Sequence, residues 1–212
     1  MAFMDAVRRP FTDLKSLVIG IVLMAIPIVN FLAIGYVLNC AGSTMKKKNE
    51  MPKWGDWWNL FVRGIITRII GVIFAIPLIL VAILALGAAF LSGLGAYAMQ
   101  TGGVASLLTG FGALGIGLVV TAIVAVIISL VGSAAIMRFV DNGYKFSAAF
   151  ELSAIFKKAF TGTFFAAWLV ALVYAVVVMM LLSFIPLIGA LIAQFIVAVT
   201  MYTILAEAYK KA

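Results

Sequence analysis

The chain has no histidine and a single cysteine, Cys40, in 212 residues. An intrachain disulfide is therefore excluded. So is a zinc or haem site built from His and Cys of this chain alone. Charge is scarce as well: 10% of residues carry it, against roughly 25% in an average soluble domain. From Ile69 to Met137 there is no charged residue at all. A transmembrane helix needs about 20 apolar residues, so that run holds two spans and a turn. With 66% of residues hydrophobic, residues 1–212 read as one integral membrane domain. The fold class is all-α, a polytopic transmembrane helical bundle.

Chemistry-bearing patterns are missing too. There is no nucleophile–base pair, no glycine-rich phosphate loop and no metal-ligand spacing. An enzyme is not expected, and no cofactor is implied. No charge lies at an obvious midplane, where it would cost about 2.5–3.5 kcal/mol and would mark function. That argues against a proton-coupled pump and against an intramembrane protease. The net charge is +8, but nothing resembles a nucleic-acid reading motif. The basic residues sit in short loops beside apolar stretches. There they act as orientation signals and contacts for anionic lipid headgroups.

What is present is punctuation. Lys46, Lys47, Lys48, Lys53, Arg63 and Arg68 make one basic segment, Arg138 to Lys158 a second, and Lys210-Lys211 a third. Neutral breaks lie between them, at Gln100-Thr101-Gly102-Gly103 and at Ser183-Phe184-Ile185-Pro186-Leu187-Ile188-Gly189. The positive-inside rule then predicts four spans, at about 65–98, 105–137, 160–183 and 187–207. The basic loops and the C-terminus are expected on the cytoplasmic side of the cell membrane.

The first apolar stretch, Ser16 to Met45, breaks this alternation because Arg8, Arg9 and Lys15 precede it and the lysine loop follows it. Either it turns back at Ala25-Ile26-Pro27-Ile28-Val29-Asn30, or it is one Pro-kinked span with its start outside. Proline removes a backbone donor and Asn30 is a turn former, so the hairpin is chemically available. Its arms would be short, which suits a re-entrant segment. No small-x-small site precedes Lys46, so the segment is read as retained rather than as a cleaved signal. Val37-Leu38-Asn39-Cys40 is a poor lipid-attachment box, because Asn39 is large and polar.

Ile26-Pro27-Ile28-Val29-Asn30 echoes Ile185-Pro186-Leu187-Ile188-Gly189, which suggests a weak repeat of about 16–98 and 105–207. Breaks at corresponding places point toward transporter-like architecture. Trp54, Trp57, Trp58 and Phe61 are spaced for one helical face and read as interfacial anchors. Ser147 to Phe160 reads as a second amphipathic, in-plane helix. Nine of the nineteen glycines lie between Gly87 and Gly117. With Ala85-x-x-x-Ala89-x-x-x-Gly93 they suggest close helix packing. Asn30 and Gln194 are the candidate midplane hydrogen-bonding groups. Arg138, Asp141, Asn142, Lys145 and Glu151 form the one mixed-charge constellation, around an Asp141-Asn142-Gly143 turn.

Gly35-Tyr36, then Pro52-x-Trp54-x-Asp56, then Leu60-Phe61-x-Arg63-Gly64, resembles an uncharacterised family of multi-spanning membrane proteins found in archaea and some bacteria. Ala148-Ala149-Phe150-Glu151 looks like that family's second cytoplasmic element. The resemblance covers nearly the whole chain. It implies a fold of apolar hairpins and no established activity, cofactor or substrate. The Ile-Pro-x-x-Asn/Gly hinges are also loosely similar to those of the bacterial sulfate permease family, which implies a small-anion path.

Two functions follow as expectations. One is a channel or permease for a small, anionic solute, as a homo-oligomer, with Asn30, Gln194, Pro27 and Pro186 along the path. The other is a non-transporting scaffold or partner subunit that works through its amphipathic surfaces. Water-accessible polar groups converging on the two hinges would favour the first. A dry Gly/Ala-packed interior would favour the second.

Overall fold

A computed structural model describes residues 3–48, 50–98, 104–186 and 188–212. Among them there are helices and no strand. The α-helices are α1 (Phe3–Arg8), α2 (Leu14–Ala25), α3 (Asn30–Met45), α4 (Trp57–Ala98), α5 (Val104–Asp141), α6 (Leu152–Ala159), α7 (Gly162–Leu182) and α8 (Gly189–Lys211), with 3-10 turns at Arg9–Phe11 and Phe146–Phe150. Four segments are long and apolar enough to cross a membrane: Trp57–Ser92, Leu114–Asp141, Gly162–Leu182 and Gly189–Lys211. They correspond to the four expected spans, and the chain is a multi-pass membrane protein. The turn expected at Gln100-Thr101-Gly102-Gly103 lies outside the described residues, as does Leu187 of the second hinge.

Two expected boundaries move. The Trp-rich stretch, expected as an amphipathic interfacial segment ahead of the first span, is continuous with that span. Trp57 opens α4 and Trp54 precedes it, because Asp56 sits at φ 51 and turns the chain just before the helix. The second amphipathic element is split at Glu151, with ψ 69, between the 3-10 turn and α6.

The chain packs as two compact units, residues 1–70 with 133–212, and residues 71–132. In the first unit the N-terminal apolar stretch is a closed hairpin. Asp13 starts α2 by accepting hydrogen bonds from the Lys15 and Ser16 amides, the usual work of an N-cap. Pro27 ends the first arm, and Ile28 takes φ 70 in the turn. Arg9, ahead of α2, donates to Thr44 near the end of α3. A single kinked helix over those residues would hold the two ends on the order of 40 Å apart, so this bond decides for the hairpin. Its arms have 12 and 16 residues, or about 18 and 24 Å at the helical rise. Each is shorter than a hydrocarbon core of about 30 Å.

The two proline turns share one hydrogen-bond pattern. Val29 N–H donates to Pro27 O and Ile188 N–H to Pro186 O, both at 2.8 Å, while Asn30 and Gly189 donate to Ile26 and Ile185. α7 and α8, which flank the second turn, have 21 and 23 residues and are longer than the arms of the first hairpin.

The hairpin packs against α8. Leu17, Ala33, Tyr36, Val37 and Cys40 meet Phe195, Ile196 and Val199 in a single core. Gly20 is the close approach that admits α8, since a Cβ there would lie 2.1 Å from the Phe195 ring. In the second unit α4 continues past Pro77. It meets α5 where a Cβ on Gly117 would be 2.9 Å from that of Ala85, and Ala89 is buried on the same seam.

Candidate functional site

The residues that carry the family resemblance meet in space. Gly35 of α3 faces the Leu60 carbonyl, and Gly64 of α4 faces the Phe31 carbonyl. Added Cβ atoms would sit 1.9 and 2.0 Å from those oxygens. The i, i+4 spacing on both helices makes a reciprocal backbone crossing, the arrangement that small residues permit. Tyr36 is buried beside it. Its hydroxyl donates to Pro52 O at 2.7 Å, and its ring stacks on Trp54 at 3.9 Å. Trp54 is thus a half-buried packing residue, while Trp57 and Trp58 project outward from the start of α4, 48% and 73% exposed.

A cleft of about 540 Å³ opens beside this crossing. The end of α5 builds one wall. Gly143 has φ 68, its amide donates to Val140 O, and the Tyr144 amide donates to Phe139 O. That pair of bonds is a Schellman cap, with the apolar contact that accompanies it made by Phe139 and Tyr144. The plain Asp141-Asn142-Gly143 turn therefore folds Tyr144 back toward α3. The Arg63 guanidinium lies 3.8 Å from the centre of the Tyr144 ring, and Arg63 also donates to the Asn39 side-chain oxygen. The Tyr144 hydroxyl donates to the same oxygen at 3.2 Å. Burial pushes the Tyr144 phenol above its ordinary pKa, opposed by the charge of Arg63.

Lys46, Lys48 and Lys210 also line the cleft, and its one carboxylate is Asp141. Asp141 is bridged to Lys210 at 2.5 Å. Ser43 links this cleft to a second polar cluster. Arg9 is 1% exposed and donates to Ser43, Thr44, Thr203 (3.0 Å) and the Glu50 carbonyl (3.1 Å). Every acceptor is neutral, and burial lowers the Arg9 pKa. The clasp ties the start of the chain, the end of α3, the lysine loop and α8 together. Arg138 pairs with Glu151, so the mixed-charge constellation is partly a brace between α5 and the turn before α6. Among the described residues no group of three His, Cys, Asp or Glu side chains is placed to hold a metal ion.

The four candidate path residues lie elsewhere. Pro27, Pro186 and Gln194 are exposed on the outer surface. Asn30 is half-buried, and its side-chain oxygen is enclosed without a hydrogen-bond partner. None of the four lines the cleft.

A family model described as a protein of unknown function, DUF4013, matches residues 18–187. The chain belongs to the DUF4013 family. The match takes in the α3–α4 crossing, Asn39, Arg63 and Tyr144, while Arg9 and all of α8 lie outside it. No curated protein and no solved structure matches the chain, so the likeness to sulfate permeases gains no support. Sequence reasoning about this DUF4013 chain missed Arg9, which it grouped with Arg8 and Lys15 as a topology signal. It also missed the Arg63–Tyr144–Asn39 trio. The signal for the trio was the Asn-Gly-Tyr after α5: a glycine C′ followed by an aromatic residue at C″ is how a helix end aims a side chain back at its own last turn.

Proposed function

We propose that this protein is a non-transporting, non-catalytic scaffold of the cell membrane. It presents the polar ends of its helices, with their lysines and arginines, to partners at the cytoplasmic face. The observation that carries this reading is the apolar packing of α3 against α8 in the first unit. α3 and α8 meet through Ala33, Tyr36, Cys40, Phe195 and Val199, all fully buried, with Gly20 of α2 against the Phe195 ring. A solute path needs polar, wetted groups between helices, and Gln194 faces outward instead.

The test is flux of small anions and cations through liposomes holding the purified protein. The expected result is flux equal to that of empty vesicles, for the native chain and for Gln194→Leu alike. Anion flux above that control, reduced by Asn30→Leu or Gln194→Leu, overturns the reading in favour of a permease.

A further inference from the structure

The cleft beside Arg63 has a lining that calls for a particular chemistry. Of its charged residues, four are cations and one is an anion, a balance of +3. The anion is already engaged by Lys210. Lys46 and Lys48 are in no ion pair among the described residues and are exposed at the rim. Arg63 is different, because it is set in place before any ligand arrives. The Tyr144 ring supports the guanidinium plane, and the Asn39 oxygen takes one of its hydrogens. A guanidinium has five N–H donors, so most of its fork remains available. The Asn39 oxygen accepts from both Arg63 and Tyr144, which uses its two lone pairs and leaves its amide nitrogen as a further donor.

The open groups are therefore donors and cations. Their complement is a group that only accepts and carries more than one negative charge. Planar bidentate recognition of phosphate is what a held arginine does best, and flexible lysines add point charge. The volume of about 540 Å³ falls within the usual range for small-molecule sites, about 300–1,000 Å³. It exceeds what a bare phosphate needs, and so leaves room for a polyol or ester substituent.

We propose that this cleft binds a phosphate-bearing anion, with Arg63 as the fixed fork, Asn39 as a donor beside it, and Lys46 and Lys48 closing the rim. The ligand is either a phospholipid headgroup or a soluble phosphate ester. The proposal does not rest on the scaffold reading, since a permease could carry the same site.

The test uses the full chain in nanodiscs, with two arms. In the lipid arm, phosphatidylglycerol is titrated into phosphatidylcholine discs, and its retention is read by native mass spectrometry. In the soluble arm, inorganic phosphate and glycerol 3-phosphate are titrated against protein in pure phosphatidylcholine discs, with chloride at matched ionic strength as the control. Saturable binding in the first arm identifies a headgroup, and in the second a soluble ester. In either arm, the K46Q/K48Q double variant should weaken binding roughly 25-fold, about fivefold per lysine near an anionic group. These lysines are exposed, so the variant should keep its thermal midpoint. Arg63→Lys, which keeps the charge and loses the fork, should weaken binding further. No saturable retention of phosphatidylglycerol over phosphatidylcholine in the first arm, together with no binding above chloride in the second, overturns the proposal. So does binding that the folded double variant leaves unchanged.

Discussion

Both compact units are rich in apolar residues, the second carries no charge at all, and they differ in how they use that apolar surface. In the first, α8 has half of its most apolar window buried, while α7 at the edge of the unit has 11%. The neighbours of α8 reach it through glycine and alanine contacts, a buried tyrosine and a clasped arginine. In the second, the apolar window of α4 is 6% buried and that of α5 11%, and Ile76, Leu84, Leu86, Ile116, Leu118 and Ile123 all stand exposed. A pair of helices has one mutual face, so most of its apolar surface must meet something else, and in a bilayer that is lipid. The lesson is that hydrophobicity builds a protein core only where three or more elements converge. Where two helices meet, it specifies the solvent.

Breaking the first unit should have the largest effect. Gly35→Leu puts a side chain where the Leu60 carbonyl already lies and forces α3 from α4. The expected cost is on the order of 4 kcal/mol or more, the size that marks a specific structural lesion. It would be seen as loss of a monodisperse peak and of the thermal transition. Gly87→Ala, at an open position of the second unit, should leave both unchanged. Equal damage from the two would erase the contrast.

A charge sharpens the comparison from the other side. Leu84 is 72% exposed, and in water Leu84→Lys would be nearly neutral. Inside a bilayer it should cost about 3 kcal/mol of insertion free energy, readable as a drop in the membrane-inserted fraction in a glycosylation-mapping assay. A neutral result would mean that this surface does not face hydrocarbon.

The smallest effect concerns the buried arginine. Arg9→Lys keeps the charge but reaches fewer of the four acceptors. Losing one charge-assisted bond should lower stability by about 2 kcal/mol, measured as a thermal shift in detergent. If Arg9→Lys costs no more than Arg8→Lys, Arg9 is only a topology signal and the clasp has no energetic weight.

The legible part of the fold was the part governed by local pattern. The uncharged run from Ile69 to Met137, the basic loops and the two Ile-Pro breaks marked the four spans and the hinges. Those features act through transfer free energy and backbone sterics, which depend on a residue and its near neighbours. The hinge of the first hairpin was visible at Pro27, but its closure was not, because one kinked helix satisfies the same pattern. The Arg9–Thr44 bond joins residues 35 apart in sequence, and no period or spacing reports such a bond.

The site was less legible than the fold. Asn30 and Gln194 drew notice because a polar residue in an apolar run is conspicuous, yet Gln194 faces outward. Arg63, Asn39 and Tyr144 drew little as a set, because each is ordinary where it stands: a charge at a helix start, an amide near a helix end, an aromatic after a turn. The sequence alone determined that this chain is a multi-pass membrane protein and roughly where its four spans run, because burial in lipid is a sum over local hydrophobicity. Only the tertiary structure decided which polar groups share a cleft, because an α5 cap, an α3 amide and an α4 arginine must converge before their charges act on one volume.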